Sequence, residues 1–233
     1  MAYKRFQGHV KMAGIDTSSV TDTIMKFHKL MNAPSTVLDY TFKDMRNRAP
    51  GKISSAVTQV YGIKKSEIQY KVYSANRKDF SYSIQKMNAG NIVVKGETLR
   101  TMEFYYAGRK LTPLHFGMTP KARPSGKKKY KVKAKILKNK LANFRNETKH
   151  PEGAVFLAPA KKGSSTIIPW FRNSSDPDDI EPIKTVSLPA MIGPNREGKG
   201  GNPIVMKNIN KSLAALLHER YDHHLSRFIK GNL

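Results

Sequence analysis

The stretch Tyr130-Lys131-Val132-Lys133-Ala134-Lys135-Ile136 alternates apolar and basic residues over its whole length. Such a period of two predicts a β-strand with one face against a core and the other in solvent. The solvent face would line up the ammonium groups of every second residue, and further lysines would enter from the preceding loop. These side chains are the candidate residues for contacting DNA or an acidic partner: Lys127, Lys128, Lys129, Lys131, Lys133 and Lys135.

Other short runs with strand character lie on either side of this segment. They are rich in β-branched and aromatic residues, at 92–94, 102–106, 154–157 and 166–168. The last two are joined by Lys161-Lys162-Gly163-Ser164-Ser165, which is typical of a hairpin turn. The polar composition of 173–182 predicts a loop. A central antiparallel sheet is therefore expected within a β-rich part of about 90–192.

Apolar residues at helical spacing predict helices at both ends of the chain. A first helix would run from about residue 16 to Pro34, and a second from Ser35 until Pro50-Gly51 ends it. A third would cover 52–61, with Gly62 as its C-terminal cap, and a further helical turn would begin at Ser66 and run through Val72. The helical part thus spans about 16–75.

The C-terminal segment 203–230 predicts one long helix. Its proposed apolar stripe is Ile204, Ile209, Leu213, Leu216, Leu217, Leu225, Phe228 and Ile229. Helices, a central sheet and a terminal helix predict an α+β fold in a single domain, 1–233. The segments 119–129 and 193–203 are rich in proline and glycine and are expected to be mobile loops.

The charge of the chain is large and unevenly placed. Forty-two Lys and Arg residues against 17 Asp and Glu give a net charge of +25. Residues 121–149 hold twelve basic residues and a single acid, Glu147, whereas 151–200 hold six of each sign. This concentration favours a polyanion or an acidic protein as partner. The alternatives are a generic basic surface and an edge strand that its lysines protect against unwanted pairing.

Composition also restricts the class of protein. The chain has no cysteine, which excludes disulfides, thiolate metal sites and a cysteine nucleophile. Residues 1–14 are basic without an apolar run behind them, and no apolar stretch approaches the roughly 18 residues of a membrane-spanning helix. A soluble protein made in the cytoplasm, with no membrane contact, is expected.

Candidate catalytic and metal sites are weak. His218-Glu219 with His223 and His224 has histidines five and six residues apart, whereas a zinc-protease helix needs them four apart. Asp222 stands four residues after His218, so a hydrolase or a two-ligand surface site stays an alternative, although a charged outer helix face is the main interpretation. We therefore predict no catalytic residues, no metal and no cofactor.

A different class of function is suggested by residues 53–72. A helix, the turn Tyr61-Gly62-Ile63 and a second helix would have the spacing of a helix-turn-helix. Only Gln69 in the second element suits base edges, since Lys64 and Lys65 carry no base-reading fork. DNA binding through this segment is the alternative hypothesis.

Four segments, taken in order, resemble the minor tail protein Z family of phage tail-completion proteins. They are Ser54-Ser55-Ala56-Val57-Thr58-Gln59-Val60-Tyr61-Gly62-Ile63 with the Lys64-Lys65-Ser66-Glu67-Ile68 that follows, the lysine-rich region 116–140, Ala154-Val155-Phe156-Leu157 with its lysine-glycine turn, and Ile183-Lys184-Thr185-Val186-Ser187-Leu188-Pro189-Ala190-Met191-Ile192. From the first to the last they span residues 54–192 of the chain. Their succession, and no single motif, carries the resemblance.

The resemblance implies a structural virion protein without enzymatic activity. It would form a homo-oligomeric ring at the neck, at the head-proximal end of a phage tail, and complete the tail for head-tail joining during virion assembly. Its partners would be other copies of itself, the neighbouring tail-tube or terminator and connector proteins, and genomic DNA in the channel. The lysine row would hold that DNA without reading its sequence, or would meet acidic surfaces of the adjoining proteins.

Overall fold

A computed structural model describes residues 7–11, 35–72, 90–125, 130–144, 155–193 and 201–230. The contacts divide the chain into two compact units. The first comprises 1–57, 68–109 and 188–233, and the second comprises 58–67 and 110–187. The prediction of a first helix before Pro34 lies outside the described residues.

The described residues form three α-helices, two short 3-10 helices and nine strands. The helices are α1 (Ser35–Val60), α2 (Leu188–Ile192) and α3 (Pro203–Ile229), with 3-10 turns at Lys65–Glu67 and Pro113–Phe116. The strands are β1 (Gln7–Lys11), β2 (Ile68–Val72), β3 (Gly90–Lys95), β4 (Glu103–Ala107), β5 (Lys133–Leu137), β6 (Lys140–Asn143), β7 (Phe156–Pro159), β8 (Ile167–Arg172) and β9 (Ile180–Pro182). The predicted α+β class is confirmed.

The first unit contains a four-stranded sheet in the order β1-β4-β3-β2. β4 pairs antiparallel with β1 and with β3, whereas β2 pairs parallel with β3. The sheet is therefore mixed, and the expectation of a purely antiparallel sheet is wrong for this unit. Ile92, Val93 and Val94 in β3 are fully buried, as suits a strand with neighbours on both sides.

Pro50 does not end a helix, contrary to the prediction from sequence. α1 runs through it without a break to Val60, so the second and third predicted helices are one. A proline inside a helix costs about 3 kcal/mol through its missing N–H and its steric clash. Met45, Ile53 and Val57 are nearly or fully buried on the same helix, and each such side chain contributes about 1.5–3 kcal/mol on burial. Burial of this face outweighs the cost of the proline.

The segment after Gly62 is a strand where a helix was expected. A 3-10 turn at Lys65–Glu67 leads directly into β2, whose residues pair one by one with β3 from Ile68↔Gly90 to Val72↔Val94. The alternation Ile-Gln-Tyr-Lys-Val has a period of two, which suits a strand better than a helix. Because the second helix does not form, residues 53–72 are not a helix-turn-helix.

The long C-terminal helix is confirmed over nearly its whole predicted length. Asn202 caps it by accepting a hydrogen bond from the N–H of Ile204, with Pro203 in the first turn. Its buried residues are Val205, Ile209, Leu213, Leu216, Leu217, Tyr221 and His224. The proposed stripe was therefore partly wrong, since Ile204, Phe228 and Ile229 are 59, 39 and 74% exposed. The short helix α2, in a stretch expected to be β-rich, packs on α3 and on the sheet.

The second unit contains the two-stranded sheet β5-β6 and the three-stranded antiparallel sheet β7-β8-β9. The predicted hairpin at 161–165 is confirmed, because β7 pairs with β8 and the turn is closed by hydrogen bonds from Ala160 to Thr166 and from Ser164 to Lys161. The predicted loop 173–182 is shorter than expected. Its last three residues form β9, which pairs with β8.

The two predicted mobile loops lie only partly within the described residues. Residues 126–129 and 194–200 are outside them. At the start of the first loop, Thr119 is fixed by two backbone hydrogen bonds with Lys133, of 2.8 and 2.9 Å. At the end of the second, Asn202 and Pro203 belong to the first turn of α3.

Candidate polyanion-binding surface

The alternating stretch at 130–136 supplies the first strand of a β-hairpin, which begins at Lys133 and not at Tyr130. β5 and β6 pair antiparallel through Lys133↔Asn143 and Ala134↔Ala142, and the two residues Lys138 and Asn139 form the turn. The pairing then shifts by one residue before Leu137↔Lys140, which marks a bulge between Ala134 and Leu137. A bulge of this kind increases the local twist of the strand.

The predicted alternation of burial is confirmed from Lys131 to Lys135, whereas Ile136, at the bulge, is only half-buried. Val132 and Ala134 are 1% and 0% exposed, whereas Lys131 and Lys135 are exposed and Lys133 is half-buried. Val132 and Ala134 anchor the inner face in the core. The ammonium-bearing side chains are thereby held on the outer face, and we call Lys131, Lys133 and Lys135 the lysine row.

β5 is also held along the edge that faces away from β6. Thr119 pairs with Lys133 at the start of the strand, and at its end Gly62 donates its N–H to the carbonyl of Ile136 at 3.0 Å. A Cβ on Gly62 would lie 1.9 Å from the carbonyl oxygen of Lys135, so only glycine permits this approach. The alternative that the lysines protect an open edge strand is wrong for β5, because both of its edges carry backbone partners.

The lysine row has no counter-charge in the part of the chain that the structure describes. No ion pair there joins Lys131, Lys133 or Lys135 to a carboxylate, and the sequence has no acid between residues 104 and 146. Alternate residues of a strand are about 6.6 Å apart. Two unit charges at that distance repel by roughly 0.6 kcal/mol in water. The row is a set of like charges whose repulsion an external anion would relieve.

The remaining candidate lysines and the turn of the hairpin complete the description of this surface. Lys127, Lys128 and Lys129 lie outside the described residues. At the other end of the hairpin, two lysines and two leucines are exposed, and Leu137 and Leu141 are 38 and 50% exposed. We call this group the hairpin tip: Leu137, Lys138, Lys140 and Leu141.

The first unit contains a charge cluster that the sequence did not reveal. The Asp44 carboxylate on α1 accepts a hydrogen bond from His224 Nε2 of α3 at 3.1 Å, and lies 3.6 Å from Arg220 Nη1. Arg48 Nε lies 3.7 Å from Oδ1, the other carboxylate oxygen of Asp44. His224 is buried, and the ring of Tyr40 lies 5.6 Å from it. The expectation of a charged outer helix face is wrong for His224, which joins two helices of the core.

The weak metal or hydrolase candidate gains no support from geometry. His218 and Asp222 are both exposed on α3. Within the described ranges, no group of three His, Asp or Glu side chains is placed to hold a metal ion.

The chemistry that these residues offer is electrostatic. A row of ammonium groups binds phosphate or carboxylate as point charges and cannot discriminate between bases.

No protein-family model matches the sequence, and neither the curated proteins nor the solved structures compared with it give a match. None of the helices in the described part of the chain combines the length and hydropathy of a bilayer-spanning segment.

Proposed function

We propose that this protein is a non-enzymatic structural subunit of a phage virion, which completes the head-proximal end of the tail and contacts the DNA in the channel. Two lines of reasoning support the proposal. The first is the resemblance of four successive segments to the tail-completion family. The second is the lysine row, which is the observation that carries the proposal.

The lysine row suits a contact with DNA that ignores sequence. Its cations lie on alternate residues at the start of β5, a strand bonded along both edges, and they have no carboxylate partner among the described residues. Duplex DNA presents one negative charge per about 1.7 Å of its axis, so a row of cations finds phosphates in any register. In a ring of identical subunits, such rows would converge on one axis and surround the channel.

Salt-dependent binding to duplex DNA of random sequence tests the contact. Each phosphate that a lysine neutralises contributes about 0.9 to the slope of log K against log salt. Replacing Lys131, Lys133 and Lys135 with Gln should therefore reduce that slope by up to about 2.7 and weaken binding at about 0.1 M salt by roughly 100-fold or more.

The matched control removes the same charge elsewhere. Lys161, Lys162 and Lys211 are exposed and lie outside the β5–β6 hairpin, and their replacement with Gln should change affinity by about threefold or less. An equal loss in both variants would show that only net charge matters and would overturn the lysine row as a site. If the wild-type protein does not bind DNA at low salt but does bind an acidic tail or connector protein, the partner of the lysine row is that protein and not DNA.

The role in the virion needs a test in particles. Labelled protein should be seen by electron microscopy at the junction of tail and head, and the Lys131, Lys133 and Lys135 variant should give particles that fail to join or lose DNA. Virions without the protein, or normal infectious particles from the variant, would contradict the proposal.

A further inference from the structure

The second unit carries its acidic residues in one place. Apart from Glu67, every acid among its described residues lies between β8 and the end of β9: Asp176, Asp178, Asp179 and Glu181. Ile180 stands among them and is 36% exposed. We call these five residues the acidic turn.

Two of these carboxylates hold the turn together. Asp176 Oδ1 accepts the N–H of Asp178 at 2.9 Å, and Asp179 Oδ1 accepts a hydrogen bond from Asn173 at 3.2 Å. Hydrogen bonds from Ser174 and Asn173 lower the pKa of Asp179, so it is charged at neutral pH. Asp178 and Glu181 are exposed, and Glu181 pairs loosely with Lys184 at 3.7 Å. The turn therefore presents fixed negative charge to solvent.

The hairpin tip is the chemical complement of the acidic turn. Lys138 and Lys140 offer two exposed cations beside Leu137 and Leu141, while the turn offers anions beside Ile180. Within one chain, none of the ion pairs of the described residues joins the two groups. Both surfaces thus present charge and apolar side chains that an external partner could cover.

We propose that the hairpin tip of one copy docks on the acidic turn of a second copy. Pairing of tip with tip, or of turn with turn, would bring like charges together, so each tip must meet a turn. Such contacts either close reciprocally in a two-fold dimer or repeat from copy to copy into a ring or a filament. The docking proposal rests on the proposed function only in assuming that the protein assembles with itself.

The contact is made by side chains and not by a shared sheet. Pro182 in β9 has no N–H, and the N–H of Ile180 is already donated to the carbonyl of Asp178 at 2.9 Å. The outer edge of β9 consequently lacks the donors that an added strand needs. Salt should therefore weaken the contact, since it depends on exposed charges.

A charge-swap experiment on the full-length protein tests the proposal. One variant carries Lys138→Glu and Lys140→Glu, and the other carries Asp178→Lys and Glu181→Lys, which leaves the two carboxylates that hold the turn. Each variant alone should sediment as a monomer at a concentration of about 100 µM where wild type self-associates. Mixed in equal amounts they should associate again, because each reversed surface then meets its complement on the other variant.

Three outcomes would overturn the docking proposal. They are a wild type that stays monomeric at that concentration, variants that associate as wild type does, and a mixture that stays monomeric while both variants retain the wild-type circular dichroism spectrum. Leu141→Ser should weaken self-association without a change of charge, and an unchanged association constant would count against the apolar part of the contact.

The lysine row keeps this test separate from the proposed function. Replacement of Lys131, Lys133 and Lys135 with Gln should leave self-association within about threefold of wild type while it weakens DNA binding. If the charge-swap fails but the row still sets the salt dependence of DNA binding, the docking contact is wrong and the DNA contact stands. If the charge-swap result supports self-association but the protein does not bind DNA, the DNA contact is wrong and the docking contact stands.

Discussion

The lysine row and the Asp44 cluster use the same kinds of charge in opposite ways. Around Asp44, one carboxylate gathers His224, Arg220 and Arg48 within 3.1 to 3.7 Å, on helices α1 and α3. On the hairpin, Lys133 and Lys135 share β5, Lys131 precedes it by two residues, and none of the three pairs with a carboxylate of the described residues. The first arrangement joins polar groups of two helices within the fold, whereas the second leaves its cations facing solvent.

This difference separates charge that stabilises the fold from charge that is available to a partner. Removal of the partly buried Asp44 carboxylate leaves the largely buried His224 and Arg220 without their shared acceptor, which is destabilising. An exposed lysine that is removed leaves nothing behind and relieves repulsion from its neighbours. Stability and binding should therefore respond to mutation in different regions of the molecule.

The largest effect is expected at the cluster. Asp44→Ala should lower the free energy of unfolding by about 3 kcal/mol, because His224 and Arg220 lose their shared acceptor in a largely buried site. Chemical denaturation followed by circular dichroism measures the change. Asp39→Ala, at an exposed position of the same helix, should stay within about 0.5 kcal/mol of wild type, and equal losses in both would remove the special status of the cluster.

Substitution of Gly62 should destabilise the packing of the β5–β6 hairpin. In Gly62→Ala the new Cβ would collide with the carbonyl of Lys135, which should cost about 2–3 kcal/mol as strands and helix end are pushed apart. Gly51→Ala provides the control, because its Cβ would meet no atom within 4 Å and the helix should gain about 0.5–1 kcal/mol. Equal denaturation midpoints for the two variants would contradict the close approach of Gly62 to β5.

High pH should destabilise the protein through tyrosines of the first unit. Burial raises the pKa of Tyr106, and burial together with a hydrogen bond to Glu103 raises the pKa of Tyr105 to about 12. The unfolded chain loses these protons near pH 10, before the folded protein does, so stability falls as pH rises above about 10.

The slope of the unfolding free energy against pH tests whether the buried hydroxyl of Tyr106 has a raised pKa. Tyr106 should contribute up to about 1.4 kcal/mol per pH unit between the unfolded and folded pKa values. Tyr106→Phe should flatten the stability curve in urea titrations between pH 9 and about 11. An unchanged slope in this variant would show that Tyr106 ionises in the folded protein as readily as in the unfolded chain.

The smallest effect on stability is expected from the lysine row itself. Replacement of Lys131, Lys133 and Lys135 with Gln should change the unfolding free energy by about 0.5 kcal/mol or less, with a slight gain from reduced repulsion. Thermal unfolding at low and high salt measures this. A loss above about 2 kcal/mol would mean that the lysines hold the fold, and the contrast with Asp44 would disappear.

The sequence predicted the elements whose pattern is locally unambiguous. The strict alternation at 130–136 and the long apolar period of α3 both gave the right type of element. At Pro50 the sequence misled, because the burial of Met45, Ile53 and Val57 is a tertiary effect that overrides a local helix breaker. At Ile68–Val72 the period of two was present, but the parallel partner β3 lies some twenty residues away.

The candidate site was only partly visible in the sequence. The lysine row follows from alternation alone. The pairing of Thr119 and Gly62 with β5, and the meeting of Asp44 with a histidine 180 residues away, depend on contacts that no local pattern encodes. The burial of His224 had one available signal, since it falls three residues after Tyr221 on the inner face of α3.

The bonding of β5 along both edges has a kinetic consequence for any anion that it meets. Because the backbone of β5 under Lys133 and Lys135 is already hydrogen-bonded, binding requires no rearrangement of the strand, and diffusional encounter should set its rate. Attraction by such a fixed field can speed collisions by tenfold or more at low ionic strength, and this acceleration fades as salt rises. The β5–β6 hairpin would then bind a polyanion rapidly and allow it to move along the surface, as expected of a contact without sequence specificity.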